Sequence, residues 1–162
     1  MKYLIGAFVV IMLFLLPLGS WYYLQSGLDY RKEALRQLEP KGKFQSTFLN
    51  QGQLAAKTTM IHLKEVEGDP VSEIYGQYGD SETFQLFSID TPEKGAQNWI
   101  QLDALAANSI SAAYDDAGFL LIDTSGQLRN TYPANLEGVK FLIEHTSIVL
   151  PRVKEMDIKM KG

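Results

Sequence analysis

The chain has 162 residues, a formal net charge of −4 and no cysteine. That length holds one domain plus an appendage, and the negative balance excludes a general electrostatic affinity for nucleic acid, which needs a basic face. The missing cysteines exclude disulfides, thiolate metal sites, thiol redox chemistry and a lipid-modified N-terminal cysteine, while only two histidines, His62 and His145, exclude a histidine-rich metal site.

Residues 3–24 form an apolar stretch, and no charge falls between Lys2 and Asp29. A spanning helix needs roughly 20 apolar residues, so the stretch predicts a single N-terminal transmembrane anchor over residues 1–25. Trp21, Tyr22 and Tyr23 would sit at the headgroup level as an aromatic belt, and Lys2 would keep the N-terminus cytoplasmic, with the remainder periplasmic or extracytoplasmic. A cleaved signal peptide is the competing reading; the A-x-A pattern is absent and bulky aromatics follow Leu18-Gly19-Ser20 directly. Pro17 is expected to kink the span.

Residues 26–42 read as an amphipathic stalk helix and linker. Leu28, Arg31, Leu35 and Leu38 recur at helical spacing, with acid–base pairs on the other side. Pro40 disfavours helix in the residue before it.

The folded domain is expected over residues 43–151. Residues 44–49 alternate and predict a short strand, and Asn50-Gln51-Gly52-Gln53 a turn. Residues 58–63, TTMIHL, are rich in β-formers and predict a strand. Residues 71–78 predict a helix with Asp69 as N-cap and Pro70 in its first position. Residues 83–89 predict a strand. Asp90-Thr91-Pro92-Glu93 reads as a loop entering a helix, capped by Asp90 or Thr91. Residues 99–105 are compatible with strand or helix, and residues 108–114 with helix. Phe119-Leu120-Leu121-Ile122, the turn formers Asp123-Thr124-Ser125-Gly126 and the extended residues 127–132 predict a hairpin. The closing helix, residues 136–150, is expected to bury Leu136, Val139, Phe141, Leu142 and Ile143. Residues 152–162 read as a charged, mobile tail. Strands that alternate with helices and close in a hairpin and helix describe an α/β sandwich with a mixed sheet.

Three short motifs carry a resemblance. Phe48-Leu49-Asn50-Gln51-Gly52-Gln53, Ser88-Ile89-Asp90-Thr91-Pro92-Glu93 and Phe119-Leu120-Leu121-Ile122-Asp123-Thr124-Ser125-Gly126 resemble segments of the Sco (SenC) proteins, thioredoxin-fold copper chaperones of cytochrome oxidase assembly with one membrane anchor and an exported domain. The resemblance implies a thioredoxin-like fold and an extracytoplasmic location. The family's copper ligands, C-x-x-x-C-P and a later histidine, do not carry over. The first motif falls on Glu65-Val66-Glu67-Gly68-Asp69-Pro70, with Glu65 and Asp69 at the cysteine positions, and the histidine position falls on or near Asp116. Carboxylate oxygen does not suit Cu(I).

If the fold brings Glu65, Asp69 and Asp116 together, they offer three oxygen ligands to a hard cation such as Ca2+ or Mg2+. The plainer reading makes Asp69 a helix cap and Asp116 a turn residue. His62, on an apolar strand, is expected to be buried and satisfied by a backbone carbonyl, and His145 to hydrogen-bond near a helix end. Asp123-Thr124-Ser125 is turn chemistry, without a base to activate the serine. Gly76 and Gly79 do not match a phosphate-binding loop. Tyr75, Tyr78 and Tyr114 suit a partner surface and core packing equally. The expected function is therefore non-enzymatic: a membrane-anchored thioredoxin-like protein without cofactor. Its partners would be the lipid bilayer and a membrane protein complex, by resemblance a respiratory cytochrome oxidase, as accessory subunit or assembly factor. The alternative is a binder of a hard metal ion or small ligand through the replacing carboxylates.

Overall fold

The computed structural model describes residues 2–151, the side chains of residues 2–10 and of Gln51 excepted; the expected tail, residues 152–162, lies outside the described residues. The chain divides after Gln37 into two units. The first is one helix, α1 (Lys2–Gln37), which runs through Pro17 without ending. Its polar end carries the ion pairs Asp29–Lys32 and Glu33–Arg36, each three residues apart. Between Ile11 and Leu24 its large apolar side chains, Trp21, Tyr22 and Tyr23 among them, are exposed. Among the described residues no helix is long and apolar enough to cross a membrane; residues 3–10 of the expected span have no described side chains.

The second unit is built on a five-stranded mixed sheet. Its strands are β1 (Thr58–His62), β2 (Phe84–Ser88), β3 (Trp99–Gln101), β4 (Phe119–Ile122) and β5 (Leu128–Tyr132), in the order β3-β2-β1-β4-β5. β1, β2 and β3 run parallel, whereas β4 and β5 are antiparallel to their neighbours. The helices are α2 (Gln51–Leu54), α3 (Pro70–Tyr78), α4 (Ala104–Ala113) and α5 (Leu136–Val149). A mixed sheet with helices, ending in a hairpin and helix, matches the expected mixed-sheet α/β sandwich.

Period-2 alternation assigns the faces. Met60, Leu86 and Leu121 join Val71, Ile74 and Tyr78 of α3 and Val139 and Leu142 of α5 in one core. Ile61, Phe87, Leu120 and Ile122 join Leu54 of α2, Ala107 and Ile110 of α4 and the irregular Phe44 and Leu49 in the other. The central strands are therefore buried on both faces, which is why β4 reads as a continuous apolar run. Gln85 is one of the buried polar residues on these strands: its amide donates to the Gln53 carbonyl at 2.8 Å and to Thr59 Oγ1 at 2.7 Å, so its own donors are satisfied.

Local signals explain where the helices start. Asp69 caps α3 through Ser72 N at 3.2 Å, with Pro70 in the first turn. Asn50 and Gln53 form a reciprocal capping box that turns the expected Asn50–Gln53 turn into α2. Asn135 caps α5 through Gly138 N at 2.7 Å.

Four expectations are corrected. Residues 44–49 are not a strand: only Lys43 makes a bridge, to Gln127, and Ser46 Oγ accepts from Phe48 N to bend the chain while Phe44 and Leu49 turn into the core. No helix follows Asp90; Asp90 N donates to Ser88 Oγ and its carboxylate meets His62, so neither serves as a helix cap. Residues 99–105 divide between β3 and the start of α4, which begins four residues ahead of the expected 108. On α5, Leu136 and Phe141 are exposed; Val139 and Leu142 are the buried pair, joined by His145 and Thr146.

Candidate functional site

β1 and β2 end side by side. Their parallel register sets His62 opposite Ser88, so the polar residue that closes each apolar strand meets the other at one end of the sheet. From His62 the chain passes through Leu63, Lys64, Glu65 and Val66 to the cap of α3. From Ser88 it passes to Asp90 and on to Trp99 of β3. These segments enclose a cleft of about 440 Å3, lined by His62, Glu65, Asp69, Asp90, Trp99 and the apolar Val66 and Val71 among others. Three carboxylates and no lysine or arginine line it, so concave low-dielectric walls focus a negative potential there.

His62 is 2% exposed and fully engaged. Its Nε2 lies against the Lys64 carbonyl. Its Nδ1 lies 2.9 Å from Ser88 Oγ and 3.1 Å from Asp90 Oδ2, and its ring stacks on Phe119 at 4.7 Å. Burial pulls the imidazole below its ordinary range; the Asp90 charge opposes this most, followed by the Lys64 carbonyl and Glu65. A carbonyl only accepts, so Nε2 carries a hydrogen whatever the charge of the ring. The expected carbonyl partner of His62 is therefore present, joined by two side chains. Ser88 and Asp90 share one ring nitrogen, whereas a nucleophile and an orienting acid engage opposite nitrogens in a triad. Ser88 is also completely buried.

The three carboxylates at the expected ligand positions do not assemble. Glu65 and Asp69 line the cleft, but Asp116 is not among its lining residues. The Asp116 side chain is 80% exposed and pairs with Lys64 Nζ at 2.6 Å. The hydrogen bond from Lys64, then its charge, holds the Asp116 carboxyl below its usual range. Among the described residues no group of three or more histidine, cysteine or acidic side chains is placed to hold a metal ion. Lys64 links the two places: its carbonyl takes His62 and its ammonium takes Asp116.

The remaining singled-out residues have structural partners. Tyr132 Oη lies 2.8 Å from His145 Nδ1; burial lowers the pKa of His145 and raises that of Tyr132. Tyr78 Oη donates to the Ile143 carbonyl at 3.0 Å, Tyr114 Oη to the Gln45 carbonyl at 2.9 Å, and Tyr75 tilts against Trp99 at 5.3 Å. Asp123 accepts from Ser125 N, Ser125 Oγ, Gln127 N and Arg129, which is the turn chemistry its sequence implies. Sequence reasoning missed Lys64 and Asp90. Their signal was available in part: Asp90 stands two residues beyond the end of an apolar strand, as Lys64 does.

No protein-family model matches the chain, and no curated protein matches it. Among solved structures, a SCO1/SenC family lipoprotein from Bacillus anthracis str. Ames is 15% identical, with a TM-score of 0.41, over 68% of this chain and 97% of that one. The thioredoxin domain of a thiol-disulfide oxidoreductase from Bacteroides vulgatus is 13% identical, with a TM-score of 0.39, over 62% of this chain and 85% of that one. Likenesses this slight assign no activity.

Proposed function

We propose that this chain is a non-enzymatic, membrane-anchored thioredoxin-like protein that acts by contact with other proteins. Its setting, in this reading, is a respiratory cytochrome oxidase, which it serves as accessory subunit or assembly factor from the outer face of the cytoplasmic membrane. One observation carries it: the positions where the resembled copper chaperones hold thiolates carry Glu65 and Asp69 in a chain with no cysteine, so neither Cu(I) transfer nor thiol–disulfide exchange is chemically available. The anchor is supported by the uncharged apolar stretch and by its exposed side chains from Ile11 onward, which would contact lipid. Trp21, Tyr22 and Tyr23 then sit at the interface. The test is purification of the tagged full chain from detergent-solubilised membranes. Co-purification of oxidase subunits is expected; recovery of the chain alone, from membranes that contain intact oxidase, overturns the reading.

A second reading rests on the cleft. Its carboxylates, Glu65, Asp69 and Asp90, have no lining lysine or arginine beside them, an arrangement that suits a small organic cation. Calorimetric titration of the full chain with ethanolammonium, and with Ca2+ and Mg2+ as controls, tests it. Heat with the amine alone supports it, and no heat with any of the three sinks it.

A further inference from the structure

The segment between β2 and β3, residues 89–98, forms one wall of the cleft through Asp90 and Thr91. It contains neither helix nor strand. Its far end is fixed at Asn98, which bonds to Lys57, Gly79, Ser81 and Leu86. Before Asn98 its bonds are few: Asp90 N to Ser88 Oγ at 3.0 Å, Ala96 N to the Glu93 carbonyl at 3.0 Å, and a long contact from Gln101 to Thr91. Its tie to β1 is the Asp90 carboxylate at His62 Nδ1.

That tie depends on a proton. Nε2 keeps its hydrogen on the Lys64 carbonyl in either charge state. With a neutral ring, Nδ1 is therefore an acceptor. It can take the Ser88 hydroxyl, but it faces Asp90 Oδ2 with lone pair against lone pair. With a protonated ring, Nδ1–H donates to Asp90, and the Ser88 hydroxyl, 3.3 Å from Asp90 Oδ2, can donate there as well. The protonated state satisfies every group in the cluster; the neutral state leaves the carboxylate without a donor from His62. The surroundings leave Asp90 as the controlling charge. Facing His62 are Asp90 from beyond β2, Glu65 from beyond β1, Ser88 of β2 and the uncharged Phe119 ring of β4. Asp69, at the start of α3, lines the same cleft, and the Lys64 ammonium is paired with Asp116.

We propose that His62 and Asp90 form a proton-operated latch that closes the 89–98 wall onto the end of β1 when the imidazole is charged and releases it when the imidazole is neutral. Uptake of one proton at Nδ1 makes the bond, and its loss breaks it; no other group changes charge. Because burial disfavours the charged ring, the latch is released near neutrality and engages only as pH falls below the ordinary histidine value.

The test uses the full chain in detergent micelles and reads two quantities between about pH 5 and 8, the range in which histidine titrates. Nitrogen NMR of the His62 ring gives its midpoint and tautomer. Amide hydrogen exchange, corrected for its intrinsic pH dependence, follows residues 89–98. The wild type is expected to hold the Nε2–H tautomer when neutral, and exchange in this segment to slow several-fold as pH falls through the His62 midpoint. In Asp90→Asn, with no anion to favour the imidazolium, the midpoint is expected to move down and the exchange step to vanish. The Asp90 side chain is 45% exposed and the replacement is isosteric, so the fold should persist. An Nδ1–H neutral tautomer, the absence of a step in the wild type, or an undiminished step in Asp90→Asn each overturns the latch. The first two are read on the unmodified protein.

Discussion

The two turns that flank β4 solve the same problem in opposite ways. The closing turn, residues 123–127, is held by one buried side chain: Asp123 accepts from two backbone amides, the Ser125 hydroxyl and both Nε and NH2 of Arg129, all within 2.9 Å. Its one left-handed residue is Gly126, with φ 76°, where no side chain is strained. The leading turn, residues 115–118, puts two non-glycine residues, Asp115 and Asp116, in the left-handed region at φ 53° and 60°. There Ser111 Oγ donates to the Ala117 carbonyl at 2.8 Å, and the exposed Asp116 reaches out to Lys64. The closing turn is determined by its own sequence. The leading turn carries a less favoured backbone shape on its way from α4 to β4.

Substitutions can break or sharpen this contrast. Asp123→Ala is expected to have the largest effect, a loss of about 3 kcal/mol, because it strands Arg129 and opens the turn at once; urea unfolding of the full chain in micelles measures it. The same carboxylate predicts an acid limb. Burial alone would raise its pKa, but the bonds from Ser125, Gln127 and Arg129 together hold it below its ordinary 3.8. Its contribution is therefore complete above that value and is lost as pH falls from there through the folded-state pKa. Stability that falls equally in Asp123→Ala and wild type below that pH would remove Asp123 from the account.

Gly118→Ala comes next, with an expected cost of about 1–3 kcal/mol from overpacking. A Cβ there would lie 2.5 Å from both the backbone nitrogen and the Cβ of Ala134, and neither can swing aside as a flexible side chain would. Thermal unfolding reads it, and an unchanged midpoint would mean that the segment leading into α5 yields more easily than its packing suggests. Asp115→Gly should act in the other direction, raising stability by up to about 1 kcal/mol, since glycine removes the left-handed penalty; a loss instead would show that the turn is not strained. Smallest of all is Asp116→Asn. It removes an exposed ion pair, should leave the unfolding midpoint where it was, and should move only the Lys64 ammonium signal in NMR. If Asp116→Asn cost as much as Asp123→Ala, the two turns would not differ in kind.

What the sequence revealed follows the range of the interactions. α3 was readable because Asp69 and Pro70 act within one turn, and the hairpin because Asp123 and Gly126 act within four residues. The apolar runs of β1 and β4 carried their own strand signal. Phe44 and Leu49 misled because alternation was taken for pairing: both residues face the core, but only the neighbouring Lys43 makes a bridge, to Gln127 just ahead of β5. The helix expected after Asp90 failed because a capping residue was already committed to His62, a choice made 28 residues upstream. The cleft itself was legible only in pieces. Glu65 and Asp69 were found by position, whereas Asp90 and Ser88 enter through the parallel register of β1 and β2, which no local pattern encodes. Asp116 lies in a turn, as its plainer reading had it, and its pairing with Lys64 rather than with Glu65 or Asp69 is likewise a contact no local pattern encodes.

The outer edge of β5 has a consequence for how the domain is made. Lys41 N donates to the Leu128 carbonyl, Leu128 N to the Gly42 carbonyl and Phe44 N to the Gly126 carbonyl, while Arg129 reaches the Leu38 carbonyl at 3.0 Å. Lys41 and Asn130, joined by their side chains, stand 89 residues apart in sequence. The first residues of the domain are thus a late closure, held open until the last strand exists. On a ribosome, β1, β2 and β3 can pair as they emerge, but the chain next to α1 finds its place only after the hairpin has been synthesised. Such long-range closure slows folding, and it ties the beginning and end of the domain into one cooperative seam: a chain cut short before β5 would leave residues 38–44 with nothing to seal.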